Sequence, residues 1–370
     1  MKFTCEKNAL VSAVSVASRT VAQKSTIPAL EGIYIRAGVK LTLSGYNLET
    51  GITISVDAEI QQTGACIMPS RLFFDIIRKL PDDTVSISVD EKFKVSIRGG
   101  ISSFTITAMS SEDYPELPEV ESDKGISLPQ NELKAMIGGT SFAVSENQAR
   151  PIHTGCLFEV EDTSITVVAV DGYRLALRRW KSEEPIGRTL KFVVPAAALK
   201  EAEKILGDTD DPCTFFLGSK HILFTIGEAT LVCRLLEGEF LDWRRVVPSN
   251  CPIKMVANVG DLASSVERVG LIVSEKYKSP VRCMFGNQEL LMRTSTTIGA
   301  AEDRCSLAGD GQELEIGFNV RYLAEALRVI PSEEVTLELQ NGLSPIVFTP
   351  CDKKYDFAYM VLPVRLRSNS

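Results

Sequence analysis

The 370-residue chain contains two histidines, His153 and His221, so any histidine general base is one of these. His153 with Asp171 is the acid–base pair to weigh. His153 precedes the strand-like run Cys156-Leu157-Phe158-Glu159-Val160, and no nucleophile motif lies near it. Asp171 sits in Val170-Asp171-Gly172-Tyr173, where Asp-Gly is ordinary turn chemistry. The pair therefore reads as a pocket-lining or structural histidine and a turn aspartate. The sequence holds no G-x-x-x-x-G-K-[ST], H-E-x-x-H or G-x-S-x-G motif and no acidic metal cluster. Gly99-Gly100 is a hairpin-turn pair. The nine cysteines are scattered and lack a C-x-x-C pair, which argues against a disulfide framework or a structural zinc site. They read as small buried apolar residues. No catalytic set, cofactor or metal is expected. The competing enzyme reading, an α+β hydrolase or transferase using His153 and Asp171, would require turnover to be lost in His153→Ala.

The elements that must position these residues recur. Helical apolar stripes occur at Leu10, Val14 and Ala17, at Leu133, Met136, Ile137 and Thr140, and at Leu262, Val266 and Val269. A second helix follows each. Pro69-Ser70 opens one with Phe73, Ile76, Ile77 and Leu80, Pro195 one with Leu199, Ala202 and Leu206, and Asn319 one with Leu323, Ala326, Leu327 and Ile330. Pro69 to Pro195 is 126 positions and Pro195 to Asn319 is 124. Leu10 to Leu133 is 123, and Leu133 to Leu262 is 129. Two independent markers share one period, so whole domains are repeated. Thr84–Val89, Phe104–Thr107, Ile52–Val56 and Val335–Leu339 alternate strictly, predicting strands with one buried face. Each repeat reads as strand, helix, strands, helix, strands, an α+β fold with mainly antiparallel sheet. The connectors Glu119–Gly125 and Pro248–Pro252 place the repeats at 1–121, 126–250 and 254–370.

The net charge of −8 argues against nucleic acid if evenly spread. It is uneven. The six helix candidates together carry +4, leaving −12 for the rest. A mildly basic surface on an acidic body can lie against phosphates without gripping them. No uncharged apolar run approaches the roughly 18 residues of a bilayer span. The start, Met1-Lys2-Phe3-Thr4-Cys5-Glu6-Lys7, lacks the core of a signal peptide. A cytoplasmic protein with no membrane partner is expected.

Five segments in order, Met1–Thr4, Ala169–Ala176, Phe240–Val246, Ile316–Val320 and Leu362–Leu366, make the whole chain resemble the bacterial DNA polymerase III β-subunit family of sliding clamps. The resemblance implies three similar DNA-clamp domains per chain, with antiparallel sheets outside and helices lining a pore. Two chains would close the ring as a head-to-tail homodimer. It implies no catalysis and sequence-independent contact with duplex DNA. It also implies partners that dock through a short Q-L-x-L-F-like peptide: the polymerase III α subunit, the clamp-loader δ subunit, other polymerases and repair proteins.

By motif match, the implied peptide pocket includes Val170, Gly172, Tyr173, Arg174, Leu175, Leu241 and Val246. Asn319, Tyr322, Met360, Leu362, Pro363, Val364 and Arg365 would complete it, with Leu362, Val364 and Leu366 forming a wall against Leu175 and Val246. His153 falls where the family has an apolar pocket residue. Lys24, Arg71, Arg150, Lys278 and Arg282, on or beside the helix surfaces, are the implied DNA contacts. Phe104 and Arg98 in repeat one, with Leu271, Ile272, Glu302 and Asp303 in repeat three, are the implied dimer contacts. The chain departs from the family pattern at Val170 (commonly Thr), at Leu241 (commonly Pro), at Ala196-Ala197 (commonly basic) and in the extension Arg367-Ser368-Asn369-Ser370. These departures imply a peptide preference different from the commonest pattern, and they permit a duplicate clamp kept for drug resistance.

Overall fold

The structure, a computed structural model, describes residues 1–121, 124–273, 279–309 and 311–366. Lys278 and the extension 367–370 lie outside the described residues. The first repeat runs β1 (Lys2–Glu6), α1 (Lys7–Ala17), β2 (Gly32–Ala37), β3 (Leu41–Tyr46), β4 (Thr50–Val56), β5 (Glu59–Gln62), β6 (Gly64–Pro69), α2 (Ser70–Lys79), β7 (Thr84–Val89), β8 (Lys94–Gly99) and β9 (Ser102–Thr107). The second runs β10 (Ile126–Pro129), α3 (Gln130–Gly138), β11 (Gly155–Glu161), β12 (Ser164–Val170), β13 (Arg174–Lys181), β14 (Leu190–Pro195), α4 (Ala196–Ile205), β15 (Pro212–Leu217), β16 (His221–Ile226) and β17 (Ala229–Arg234). The third runs β18 (Ile253–Asn258), α5 (Val259–Gly270), β19 (Val281–Phe285), β20 (Glu289–Thr296), β21 (Gly299–Ser306), β22 (Leu314–Phe318), α6 (Val320–Arg328), β23 (Glu334–Leu339), β24 (Ile346–Pro350) and β25 (Phe357–Val361). The predicted order of elements is present three times, and each named strand pairing is antiparallel, as between Arg174 and Val361.

The helices start where local chemistry lets them. The Glu6 carboxylate accepts from the backbone N–H groups of Asn8 and Ala9 at 3.0 and 2.7 Å. That caps α1 and places negative charge on the positive end of its dipole. Asn258 caps α5 through the N–H of Asp261, and Asn319 caps α6 through the N–H of Arg321. The apolar stripes are buried as their spacing requires: Leu10, Ala13, Val14 and Ala17 in α1, and Leu262, Val266 and Val269 in α5.

The chain divides into two compact units. The first comprises residues 1–134 and 197–235. It holds a five-stranded sheet ordered β5-β1-β7-β8-β9 and an eight-stranded sheet in which β17 of the middle repeat pairs with β4 of the first. Its main core joins Phe3, Leu10, Val14, Ile35, Phe73, Ile77 and Ile87. Lys7 is spent here, its Nζ donating to the Leu80 carbonyl at the end of α2 at 3.0 Å. The second unit comprises 135–196 and 236–370. Its eight-stranded sheet is ordered β14-β11-β12-β13-β25-β24-β23-β18, and its four-stranded sheet β21-β20-β19-β22.

β9 departs from the alternation rule. None of its residues is fully buried: Phe104 is 40% exposed, while Ile106 packs half-buried against the core. The reason is position: β9 is the last strand of its sheet, paired with β8 on one side. Gly100 turns that hairpin at φ 56°, a conformation that costs a residue with a Cβ more than glycine.

Candidate partner-segment groove

The second unit gathers most of the implied pocket residues. The floor is apolar. Val170, Leu175 and Met360 are buried with Leu157, Leu177, Val193, Phe240, Trp243 and Val347, and Val246, Val247 and Leu362 pack against them half-buried. Strand pairing places them together: Leu175 on β13 is opposite Met360 on β25. The Leu362 N–H then donates to the Tyr173 carbonyl at 2.8 Å. An apolar floor ringed by a few fixed polar groups suits an apolar side chain held in one orientation.

A cleft of about 910 Å³ lies at the turn between β12 and β13, lined by His153, Gly172, Tyr173, Arg174, Leu241 and Tyr322 among others. Gly172, at φ 94°, lets the chain reverse there. Asp171 Oδ1 accepts from the N–H groups of Tyr173 and Arg174 at 2.8 and 3.0 Å. Tyr173 is 62% exposed and stacks on Tyr322 of α6 with ring centroids 6.1 Å apart.

Arg174 ties turn to helix. It is 6% exposed, and its Nε donates to Asp171 Oδ2 at 2.9 Å. Its Nη1 donates to Glu325, and its Nη2 to the Phe142 carbonyl at 2.6 Å. The guanidinium lies over the Tyr322 and Phe142 rings, 4.6 and 5.3 Å from their centroids. Burial pushes the Glu325 carboxyl up, but hydrogen bonds from Arg174 and Arg321 outweigh it and hold the group below the usual carboxylate range.

His153 meets Phe240 edge to face at 5.0 Å, and its Nδ1 is buried without a hydrogen-bond partner. Burial, with the nearby Arg150 charge, lowers its pKa and keeps it neutral at pH 7. Asp171 is committed to Arg174 and the turn, so it does not serve as an orienting carboxylate for His153. Among the described residues no cluster could hold a metal ion, and no helix is long and apolar enough to cross a membrane.

Several expected residues sit elsewhere. Asn319 spends its side chain on capping α6. Arg150, expected at DNA, lines the same cleft as His153 and Tyr173. Val364 and Arg365 do not join Leu362. Beyond Pro363 the chain changes sheets, the Val364 N–H donating to Gly317 on β22 at 2.7 Å. Val364, 40% exposed, then lines a separate cleft of about 860 Å³ with Arg365, Leu366, Arg282 and Arg293. Arg282 lies on β19, not on a helix surface, and donates to Glu315 at 2.9 Å. Lys24 and Arg71 are exposed, Lys24 in a loop and Arg71 on α2. Arg98 is exposed beside β9, while Leu271 is 82% exposed at the end of α5. Ile272 is half-buried just after it. Glu302 and Asp303 lie on β21, an edge strand. Each already has an internal partner, Arg293 for Glu302 and Arg268 for Asp303. Motif matching missed the apolar residues Leu177, Val193, Val247 and Val347, whose types were visible but whose pairing was not.

Family models match along the chain: the DNA polymerase III beta subunit N-terminal domain over residues 1–118, the central domain over 127–242 and the C-terminal domain over 244–365. The chain is 32% identical to the beta sliding clamp of Staphylococcus epidermidis over 376 aligned positions, covering 99% of each. Among solved structures, the DNA polymerase sliding clamp of Bacillus subtilis superposes with a TM-score of 0.94 at 29% identity, covering 99% of this chain and 100% of that one. A putative DNA polymerase III beta subunit from Eubacterium rectale gives 0.93 at 32% identity with the same coverage. The Pseudomonas aeruginosa sliding clamp bound to griselimycin also gives 0.93, at 30% identity.

Proposed function

This chain belongs to the DNA polymerase III β-subunit family, the non-catalytic sliding clamps of replicative polymerases, and from that premise we propose how it holds its partners. The groove floored by Val170, Leu175, Met360 and Leu362 receives a short Q-L-x-L-F-like segment. The polymerase III α subunit, the clamp-loader δ subunit and repair proteins would carry such segments. The observation behind this is the joining of β13 to β25. It sets Leu175 against Met360 and the Tyr173 carbonyl against Leu362, leaving the exposed Tyr173 beside an apolar floor. His153 and Leu241 border that site and would tune its preference.

Three domains at 1–121, 126–250 and 254–370 form each subunit of a head-to-tail ring in the cytoplasm. The exposed edges β9 and β21 suit its closure, because a heterologous contact between two strand edges satisfies both ladders. Phe104 and Leu271 supply exposed apolar surface. Since Glu302 and Asp303 are paired within the chain, the apolar residues carry more of that contact than the charges do. Duplex DNA would be touched through phosphates by Lys24 and Arg71, without sequence preference.

Retention on nicked circular DNA, with release once the circle is linearised, tests the clamp reading; equal loss from both forms would count against it. Leu271→Ala with Ile272→Ala is expected to yield monomers in sedimentation, and an intact dimer would reject the interface.

A further inference from the structure

Glu159 is a buried carboxylate on β11, its side chain 9% exposed. Its Oε2 accepts from Trp243 Nε1 at 3.0 Å and from Arg244 Nη1 at 2.7 Å, and its Oε1 lies 3.3 Å from Lys191 Nζ. The Arg244 guanidinium lies over the Trp243 ring, 4.3 Å from the centroid, and its other arm donates to Glu161 at 3.1 Å. Burial alone would push the Glu159 carboxyl up. The three donors outweigh burial and keep it ionised at neutral pH.

These contacts matter because of what the segment between β17 and β18 lacks. It has no strand and only a three-residue 3-10 turn at Trp243–Arg245. Yet it supplies Phe240, Trp243, Val246 and Val247 to the apolar cluster that holds Val170, Leu175 and Met360. Its first end is pinned by the Leu236 N–H donating to the Val193 carbonyl. Further along, the N–H groups of Val246 and Val247 both donate to the Trp243 carbonyl, at 3.0 and 3.1 Å. The seat of Trp243 therefore sets the seat of both valines.

We infer that Glu159 is a positioning residue for the partner-segment groove: by holding Trp243 and Arg244 it fixes the Val246–Val247 wall, so segment affinity depends on it without contact. The inference rests on the groove being the partner-segment site.

The test uses the full chain carrying Trp180→Phe, so that emission reports Trp243, and a fluorescein-labelled Gln-Leu-Ser-Leu-Phe peptide. Glu159→Ala is expected to weaken the peptide about tenfold or more and to shift Trp243 emission to the red. Glu159→Gln keeps an acceptor for the indole N–H and is expected to restore the emission and part of the affinity. An emission shift with affinity within about twofold of the parent would overturn the inference, leaving Glu159 a stabilising residue alone. If the alanine variant yields no folded protein, Glu159→Gln decides: several-fold weakening supports the inference, and parental affinity overturns it. A parent that fails to bind the peptide overturns the groove reading and the inference with it.

Discussion

Arg174→Ala should destabilise the second unit more than any exposed ion-pair deletion in the protein. The deletion removes the cation shared by Asp171, whose side chain is 12% exposed, and Glu325, which is 23% exposed. Breaking a buried pair from one side costs about 3–5 kcal/mol, because the remaining charge keeps its desolvation penalty. The lower end applies here. Asp171 keeps two backbone N–H donors, and Glu325 keeps Arg321 at 2.8 Å. Loss of the contacts with the Tyr322 and Phe142 rings adds about 0.5–1 kcal/mol each. A net cost of about 4–5 kcal/mol corresponds to a fall in Tm of roughly 8–20 °C for a unit of this size. Scanning calorimetry measures it, with Arg78→Ala as the control. The Arg78–Asp75 pair is exposed, at 55% and 45%, and contributes less than about 1 kcal/mol. A Tm for Arg174→Ala no lower than that of Arg78→Ala would refute the reasoning. The pH dependence follows from Glu325. Its carboxyl is held below its ordinary value in the folded chain, so its contribution is present above the unfolded value, about 4.3, and is lost as pH falls through the lower folded one. Parent and variant should therefore converge in acid.

Leu362→Ala is expected to weaken a Q-L-x-L-F peptide by about 1–2 kcal/mol, roughly 5–30-fold by calorimetry. Val364→Ala, in its separate cleft, should cost less, and equal losses would deny that separation. Lys24→Ala and Arg71→Ala should each lower the salt slope of DNA retention by about 1, whereas Arg282→Ala, already paired with Glu315, should leave it unchanged. A slope indifferent to the first two removes the phosphate assignment. Eight cysteines are buried and Cys351 is exposed, and burial pushes the Cys66, Cys213 and Cys283 thiols up to about 12. Alkylation of the native protein should stop at one adduct, at Cys351; a second adduct by mass spectrometry would contradict this burial.

Much of the architecture is written locally in the chain. A helical stripe such as Leu10, Val14 and Ala17 and a cap such as Asn319 act within a few residues, so they are legible wherever they occur. Their recurrence three times exposed the repeated domain. The apolar type of Leu175, Met360 and Leu362 was likewise visible, and the fold packs the three into one cluster. What the chain could not reveal alone was the outcome of long-range pairing. The pairing of Val364 with Gly317, not the composition of Leu362–Leu366, sends Val364 to a cleft apart from the apolar cluster that Leu362 joins. The last place in a sheet, not its alternation, leaves β9 without a fully buried residue. The approach of Glu315 consumes Arg282, and that of Glu159 seats Trp243. Each depends on groups far apart in sequence meeting within hydrogen-bond distance. Register and sheet order decide such meetings, whereas residue type supplies only the capacity for them.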